Sequence, residues 1–168
     1  MRSNLGLTVH DLSMTPFTLD NPVFRIFVIA AGIAILKMVG HSFLTVYRMI
    51  RSNGGFLNPE DTRKTIGNSH PSAGQLASND YVERARRMHR NEGENTPLFL
   101  VAGLLFVSAS PPVTLAAIMM YGYVVARFAH SYAYITERDH EVRVAFFSIG
   151  ALLTGGMTLY ALAVSLSR

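Results

Sequence analysis

Three long apolar stretches alternate with polar segments along this chain. They cover residues 23–47, 113–135 and 144–166, and each is long enough to cross about 30 Å of hydrocarbon as an α-helix. A fourth apolar stretch, residues 97–108, is too short alone and spans only if the charged run before it continues the same helix. The pattern therefore predicts an all-α integral membrane four-helix bundle. The helices are expected at about residues 23–50, 81–108, 113–136 and 142–166 of a single domain, 1–168.

The polar segments predict how the helices begin and connect. Residues 51–80 are rich in Gly, Asn, Ser and Pro, which is typical of a loop. At roughly 30 residues this loop exceeds ordinary connections, so it is a candidate lid or a partly disordered segment. Asn21, just before Pro22, is expected to cap the first helix, and Asn79 or Asp80 the second.

Composition and charge change this picture only in orientation. Of the 168 residues, 49% are hydrophobic and 15% are charged, and the net charge is +4. No basic run interleaved with aromatic residues lies on a soluble element, so we do not expect nucleic acid binding. Arg2, Arg25 and Arg168 lie on one side of the predicted bundle. The other side carries more cations, namely Arg48, Arg51, Arg63, Lys64, Arg84, Arg86, Arg87, Arg138 and Arg143. The positive-inside rule therefore places both termini outside the cytosol and the long loop within it.

The chain contains no cysteine, which excludes disulfides, thiolate metal sites and a cysteine nucleophile. Any sulfur chemistry must come from a bound small molecule. The histidines at 89, 130 and 140 do not share a metal-ligand spacing, so no metal site is expected.

Residues 1–22 lack a continuous apolar core and do not resemble a cleaved signal peptide, so they are expected to form a short extramembrane tail.

Polar side chains form a narrow stripe on each of the two middle helices. The stripe on the second helix consists of Glu83, Arg87, Arg90, Asn91 and Glu94. The stripe on the third helix consists of Arg127, His130, Tyr134 and Arg138. An arginine as deep as Arg127 needs a carboxylate partner or a cavity, and Glu94, at similar depth, is expected to be that partner. Lys37 and His41, four residues apart on the first helix, must also point into the bundle, where a structural interhelical hydrogen bond is their simplest role.

The two stripes hold more cations than carboxylates. One interpretation is an interhelical salt-bridge network that binds no ligand. The excess instead favours an amphiphilic anion with several carboxylates, because arginine binds carboxylates bidentately. No serine triad or glycine-rich phosphate loop is evident, so the remaining chemistry is electrostatic activation of a bound nucleophile by arginine. The cations concerned are Arg87, Arg90, Arg127, Arg138 and Arg143, with Arg48 or Arg51 from the first helix.

A longer motif runs through the same region. It consists of Glu83, Arg84, Arg87, His89, Asn91, Glu94, Asn95 and Pro97, preceded by Phe56 and Asn58-Pro59-Glu60-Asp61 and followed by Arg127, His130 and Tyr134. In order and spacing this motif resembles the MAPEG family, the membrane-associated proteins in eicosanoid and glutathione metabolism. Within that family it is similar to the microsomal glutathione transferase and prostaglandin E synthase branch. The similarity covers about residues 37–147.

The resemblance implies a homotrimer that binds glutathione between adjacent subunits near the cytosolic face. It implies a glutathione transferase acting on hydrophobic electrophiles, with peroxidase activity toward lipid hydroperoxides that enter from the bilayer of a bacterial inner membrane or the endoplasmic reticulum. Arg143 is then expected to stabilise the thiolate, with Arg138 as its rival, and Asp61 to take part in chemistry. The residues implied to hold glutathione are Arg87, Arg90, Asn91, Glu94, His130 and Tyr134, with Arg127 supporting the pocket and Arg48 or Arg51 reaching over from a neighbour. A non-catalytic lipid-binding or scaffold protein of the same family, and a bundle that binds nothing, are the alternatives.

Overall fold

The computed structural model describes residues 16–167, and within them all regular structure is helical. The four α-helices are α1 (Pro22–Ser52), α2 (Asp80–Ser108), α3 (Val113–Ile135) and α4 (His140–Leu166). Two short 3-10 helices, Pro59–Thr62 and Ala73–Leu76, lie in the loop between α1 and α2. The predicted all-α fold of four helices is confirmed. Most of the expected N-terminal tail, residues 1–15, lies outside the described residues, as does residue 168.

The predicted caps explain where α1 and α2 begin. The Asn21 side chain accepts a hydrogen bond of 2.9 Å from the backbone N–H of Val23, with Pro22 in the first turn. The Asn79 side chain accepts a bond of 3.1 Å from the N–H of Tyr81 in the same way. Each asparagine satisfies a backbone donor that the first turn of a helix leaves unpaired.

Helix α2 runs without interruption for 29 residues, with Pro97 inside it. At 1.5 Å per residue it is about 43 Å long. The charged run and the short apolar stretch are therefore one helix, as a fourth span requires. The other three helices, α1, α3 and α4, are each long and apolar enough to cross a membrane without any such extension.

The helices pack closely around one core. A Cβ on Gly103 of α2 would lie 2.5 Å from the Phe27 ring of α1, so only glycine permits this approach. Deeper in the bundle the rings of Phe99 and Tyr123 stack with centroids 3.9 Å apart, joining α2 to α3. Large apolar side chains also cover the outside of the bundle, among them Leu36, Phe43, Leu98, Val125 and Leu152. Such a surface suits lipid rather than water.

The loop between α1 and α2 is folded around Gln75, which is buried. The Gln75 Nε2 atom donates to the side-chain oxygens of Asn53 at 2.6 Å and Asn68 at 3.0 Å. Its backbone carbonyl accepts a bond of 2.9 Å from the N–H of Phe56. The sequence predicted either a lid or a partly disordered segment here. In the structure the loop is ordered, and its Gln75 fastens it to the end of α1.

Candidate functional site

Three charged side chains from three helices meet inside the bundle. The Nζ atom of Lys37 on α1 lies 2.8 Å from Oε2 of Glu92 on α2. The other carboxylate oxygen, Oε1, accepts a hydrogen bond of 2.9 Å from Nε of Arg127 on α3. All three residues are buried, and His41, one turn after Lys37, is buried beside them. The prediction that Lys37 and His41 point into the bundle is confirmed.

The expectation that Glu94 pairs with Arg127 is wrong. Glu94 is exposed, whereas Glu92 binds Arg127 from the buried face of α2. Residues two positions apart, such as Glu92 and Glu94, are separated by about 200° around the helix axis. They can therefore lie at similar depth in the membrane and still be on different faces of α2. The signal that could have found Glu92 is its position on an apolar stripe. That stripe consists of Val82, Ala85, Met88, Thr96 and Phe99, all buried.

A cavity of about 230 Å³ opens between α2, α3 and α4, near the start of α4. Its lining comprises Asn91, His130, Tyr134, His140, Arg143, Val144 and Phe147. The Arg143 guanidinium lies 4.9 Å from the centroid of the Tyr134 ring. The rings of His130 and Tyr134 meet edge to face, with centroids 5.1 Å apart. We call this cavity the Arg143 pocket.

The Arg143 pocket combines polar donors with apolar surface. Arg143 supplies a positive charge to its lining, and the buried His130 has a ring nitrogen, Nδ1, with no protein partner among the described residues. Val144 and Phe147 form an apolar wall on the same helix as Arg143. Such a pocket can hold an anionic or acceptor-rich group next to an apolar one.

Four of the predicted site residues line the Arg143 pocket, namely Asn91, His130, Tyr134 and Arg143. Three other lining residues, His140, Val144 and Phe147, are not among the predicted site residues. Their signal is the spacing i, i+3, i+4 and i+7 from His140, which puts all three with Arg143 on one face of α4. Arg127 lies behind the pocket, where its Nη2 atom donates to the side-chain oxygen of Asn91 at 2.6 Å.

Other predicted site residues lie on the outside of the single chain. Arg87 forms an ion pair of 2.9 Å with Asp80 at the start of α2. Arg90 and Glu94 are exposed on the same side of α2, and Arg138 is exposed beyond the end of α3. The polar stripe of α2 thus faces away from the bundle, except at Asn91.

The two candidate arginines of α1 differ sharply. Arg48 is buried, donates from Nη1 to the carbonyl of Tyr81 at 2.8 Å and lies over the Tyr81 ring. Arg51 is exposed and contacts the Tyr47 hydroxyl of its own helix at 2.9 Å. Arg48 therefore fastens α1 to the start of α2, and Arg51 extends outward.

Asp61 lies at a different cavity, of about 310 Å³, between the end of α1 and the long loop. Its carboxylate accepts a hydrogen bond of 3.1 Å from the side chain of Asn58. Asn68, held by Gln75, donates to the Asp61 carbonyl at 3.1 Å. Within one chain, Asp61 and Arg143 therefore line separate cavities.

Comparisons with known proteins agree with the helical architecture and the motif. The sequence model of the MAPEG family matches residues 27–163. Human microsomal glutathione S-transferase 1 is 35% identical over 140 residues, which cover 83% of this chain and 88% of the relative. The rat protein of that name is 34% identical over 139 residues, with the same coverage. Human prostaglandin E synthase is 26% identical over 144 residues, covering 86% of this chain and 91% of the relative. The chain therefore belongs to the MAPEG family and is a membrane protein built as a four-helix bundle.

Proposed function

We propose that this protein is a membrane glutathione transferase that conjugates glutathione to hydrophobic electrophiles. The observation that carries the proposal is the Arg143 pocket, where Arg143 lies beside the Tyr134 ring and next to the apolar wall of Val144 and Phe147. The relatives named as glutathione S-transferases, at about one third identity over most of both chains, support glutathione as the thiol. Because the chain has no cysteine, the reacting sulfur must come from such a co-substrate.

In this proposal Arg143 is the catalytic residue and stabilises the glutathione thiolate. One unit of lowering in the thiol pKa corresponds to about 1.4 kcal/mol of preferential binding of the anion. The thiolate then attacks the electrophilic carbon, a carbon–sulfur bond forms, and the leaving group departs with the bonding electron pair. Asn91, His130 and Tyr134 hold the rest of the tripeptide, and Arg127 supports Asn91 from behind.

Peroxidase activity toward lipid hydroperoxides is the companion proposal, because it needs the same thiolate and an apolar approach. The thiolate attacks the terminal peroxide oxygen, the O–O bond breaks, and the lipid alkoxide takes a proton from water and leaves as an alcohol. A second glutathione then reduces the resulting sulfenic acid, giving glutathione disulfide and water. Two thiols are oxidised for each hydroperoxide reduced.

The exposed charges of α2 support a homotrimer with shared sites. Arg87, Arg90 and Glu94 lie on the outside of the single chain, and charged side chains at membrane depth need protein or water around them. A neighbouring subunit would provide that cover and would bring its own Arg51 to the Arg143 pocket. Asp61 could reach the chemistry only from such a neighbour, because within its own chain it lines another cavity. By the positive-inside rule the long loop is cytosolic and both termini are not.

The decisive experiment measures glutathione binding and turnover in detergent. Purified protein is titrated with glutathione by calorimetry, thiolate formation is followed by ultraviolet absorbance, and conjugation to a small aromatic electrophile is assayed. We expect all three signals in the wild type. Arg143→Leu should bind glutathione with little thiolate, and the matched variant Arg138→Leu should behave like the wild type. If Arg138→Leu instead loses the thiolate, the catalytic arginine is Arg138.

Three other results would change the proposal. Glutathione binding with no turnover would favour a non-catalytic lipid-binding or scaffold protein of the family, and absence of both binding and turnover would favour a structural bundle. Robust conjugation with hydroperoxide consumption at the background rate would remove the peroxidase proposal alone.

A further inference from the structure

Asn91 connects the buried charges to the Arg143 pocket, and its amide can have only one orientation. The Nη2 atom of Arg127 lies 2.6 Å from Oδ1 of Asn91. A guanidinium carries donors and no acceptor, so the oxygen of the amide must face it. The Asn91 nitrogen, Nδ2, is the end left over, and no acceptor for it is found among residues 16–167. Asn91 lines the pocket, and Nδ2 is the atom of its side chain that can donate to a molecule bound there.

The guanidinium of Arg127 is itself fixed from two sides. On one side its Nε donates to Glu92 at 2.9 Å, and the second oxygen of Glu92 is held by Lys37 at 2.8 Å. On the other side the side chain packs against Gly150 of α4, where an added Cβ would lie 3.2 Å from Cδ of Arg127. The buried residues Lys37, Glu92 and Arg127 thus continue into the half-buried Asn91. We call these four residues the positioning series.

Charge balance alone does not explain an asparagine at the end of the positioning series. Lys37 and Arg127 bring two positive charges, and Glu92 brings one negative charge. An aspartate at position 91 would be a stronger acceptor for Arg127 and would balance the charges, which a low-dielectric interior favours. The neutral amide forgoes that balance, and what it offers instead is a donor on the pocket side.

We propose that Glu92 is a positioning residue for the ligand. Through Arg127 it holds the Asn91 amide so that Nδ2 donates to a hydrogen-bond acceptor of the bound molecule, a carboxylate or an amide carbonyl. Lys37 acts one step further back, by fixing Glu92. The inference rests on the proposed function, in which glutathione supplies that acceptor.

The main test is Asn91→Asp, which keeps the shape of the side chain and gives Arg127 a stronger acceptor. We expect thermal stability in detergent to be unchanged or higher, whereas the dissociation constant for glutathione should rise at least about tenfold, the typical effect of losing a hydrogen bond to a charged group. In turnover, KM for glutathione should rise far more than kcat falls. If Asn91 serves only to satisfy Arg127, binding will be unchanged, and that result would overturn the inference.

The role of Glu92 is tested by a double-mutant cycle with the same titration. Glu92→Gln should weaken glutathione binding several-fold in the wild-type background and have little further effect when Asn91→Asp is also present, because the amide it positions is gone. Equal factors in both backgrounds would show that Glu92 acts on stability and not through Asn91. If Glu92→Gln does not fold, Glu92→Asp takes its place in the cycle, since it keeps the charge and moves it by one methylene.

The wild-type titration separates failure of the inference from failure of the proposed function. If wild-type protein does not bind glutathione, the proposed function is wrong and the inference falls with it. If the wild type binds glutathione and Asn91→Asp binds it equally well, only the inference is wrong.

Discussion

At the scale of single residues, Glu92 is the carboxylate that neutralises buried positive charge inside the bundle. One carboxylate binds cations from two other helices, Lys37 of α1 and Arg127 of α3. Removing one member of a buried ionic cluster leaves uncompensated charge, and water cannot reach it to compensate. The exposed Glu94, two residues later, has no comparable role within the chain.

We therefore predict that Glu92→Leu destabilises the protein by about 3–5 kcal/mol. The matched variant Glu94→Leu on the same helix should leave the fold of the single chain nearly unchanged. Thermal unfolding of both variants in detergent, with helicity followed by circular dichroism, measures the difference. A larger loss for Glu94→Leu than for Glu92→Leu would contradict the buried cluster.

Part of this buried cluster could be predicted from the sequence, and there is a physical reason why Glu92 could not. Lys37, His41 and Arg127 stand in apolar helices, where an isolated polar residue must turn inward. Identifying the partner of Arg127 requires knowing which face of α2 is buried. Four of the eight charged residues of that helix are exposed, Glu94 among them. Glu92 is the one charged residue that the structure buries on the inner face of α2, and sequence reasoning therefore favoured Glu94.

At the scale of elements, the approach of α1 to α2 depends on Gly103. We predict that Gly103→Ala costs about 1–3 kcal/mol, since the new methyl group would force the Phe27 ring or the helix to shift. Gly40→Ala on α1 is the control, because among residues 16–167 no atom beyond its own helix backbone and chain neighbours lies within 4 Å of the added Cβ. In thermal unfolding, the midpoint temperature should be lower for Gly103→Ala and unchanged for Gly40→Ala. Equal midpoints would show that the two helices can separate without loss.

The loop between α1 and α2 offers a second prediction at this scale. Gln75→Leu should leave the side-chain oxygens of Asn53 and Asn68 without the donor that now binds them, at about 1–3 kcal/mol for the buried Asn68. The loop should then open and be cleaved faster in limited proteolysis, while the helices remain intact. Asn58→Ala, which removes one exposed hydrogen bond of the same loop, should be cleaved at the wild-type rate. Unchanged cleavage of Gln75→Leu would mean that the loop is held by other contacts.

The four helices and their first caps were predictable because they depend on local sequence. Asn21 and Asn79 act on N–H groups two residues away, and apolar stretches define the spans. The fold of the loop could not be predicted in the same way, because the Gln75 side chain forms a hydrogen bond with Asn53, 22 residues earlier. Such a contact depends on how the chain returns to α1, which local composition does not determine.

At the scale of the whole molecule, the two arginines of α1 divide structural and functional roles. We predict that Arg48→Ala lowers thermal stability, because it removes the hydrogen bond to the Tyr81 carbonyl and the contact with the Tyr81 ring. Arg51→Ala should keep wild-type stability and weaken glutathione binding, because the exposed side chain of one subunit would serve a site on the next. Unfolding and calorimetric titration of both variants decide the assignment. The reverse pattern would make Arg48 the residue that reaches the neighbouring site.

A shared site makes a stronger prediction for mixed assemblies. A chain carrying Arg51→Ala lacks the arginine that would contribute to the site of a neighbouring subunit. A chain carrying Arg90→Ala and Glu94→Ala lacks the side chains on α2 that would bind the ligand. In a mixed trimer, an intact α2 of the first chain can lie beside an intact Arg51 of the second, so some complete sites should form. Conjugation activity should then recover partly, with a maximum at intermediate mixing ratios. If each site lies within one subunit, every site carries a defect and no ratio restores activity, because neither chain then supplies a complete set of residues.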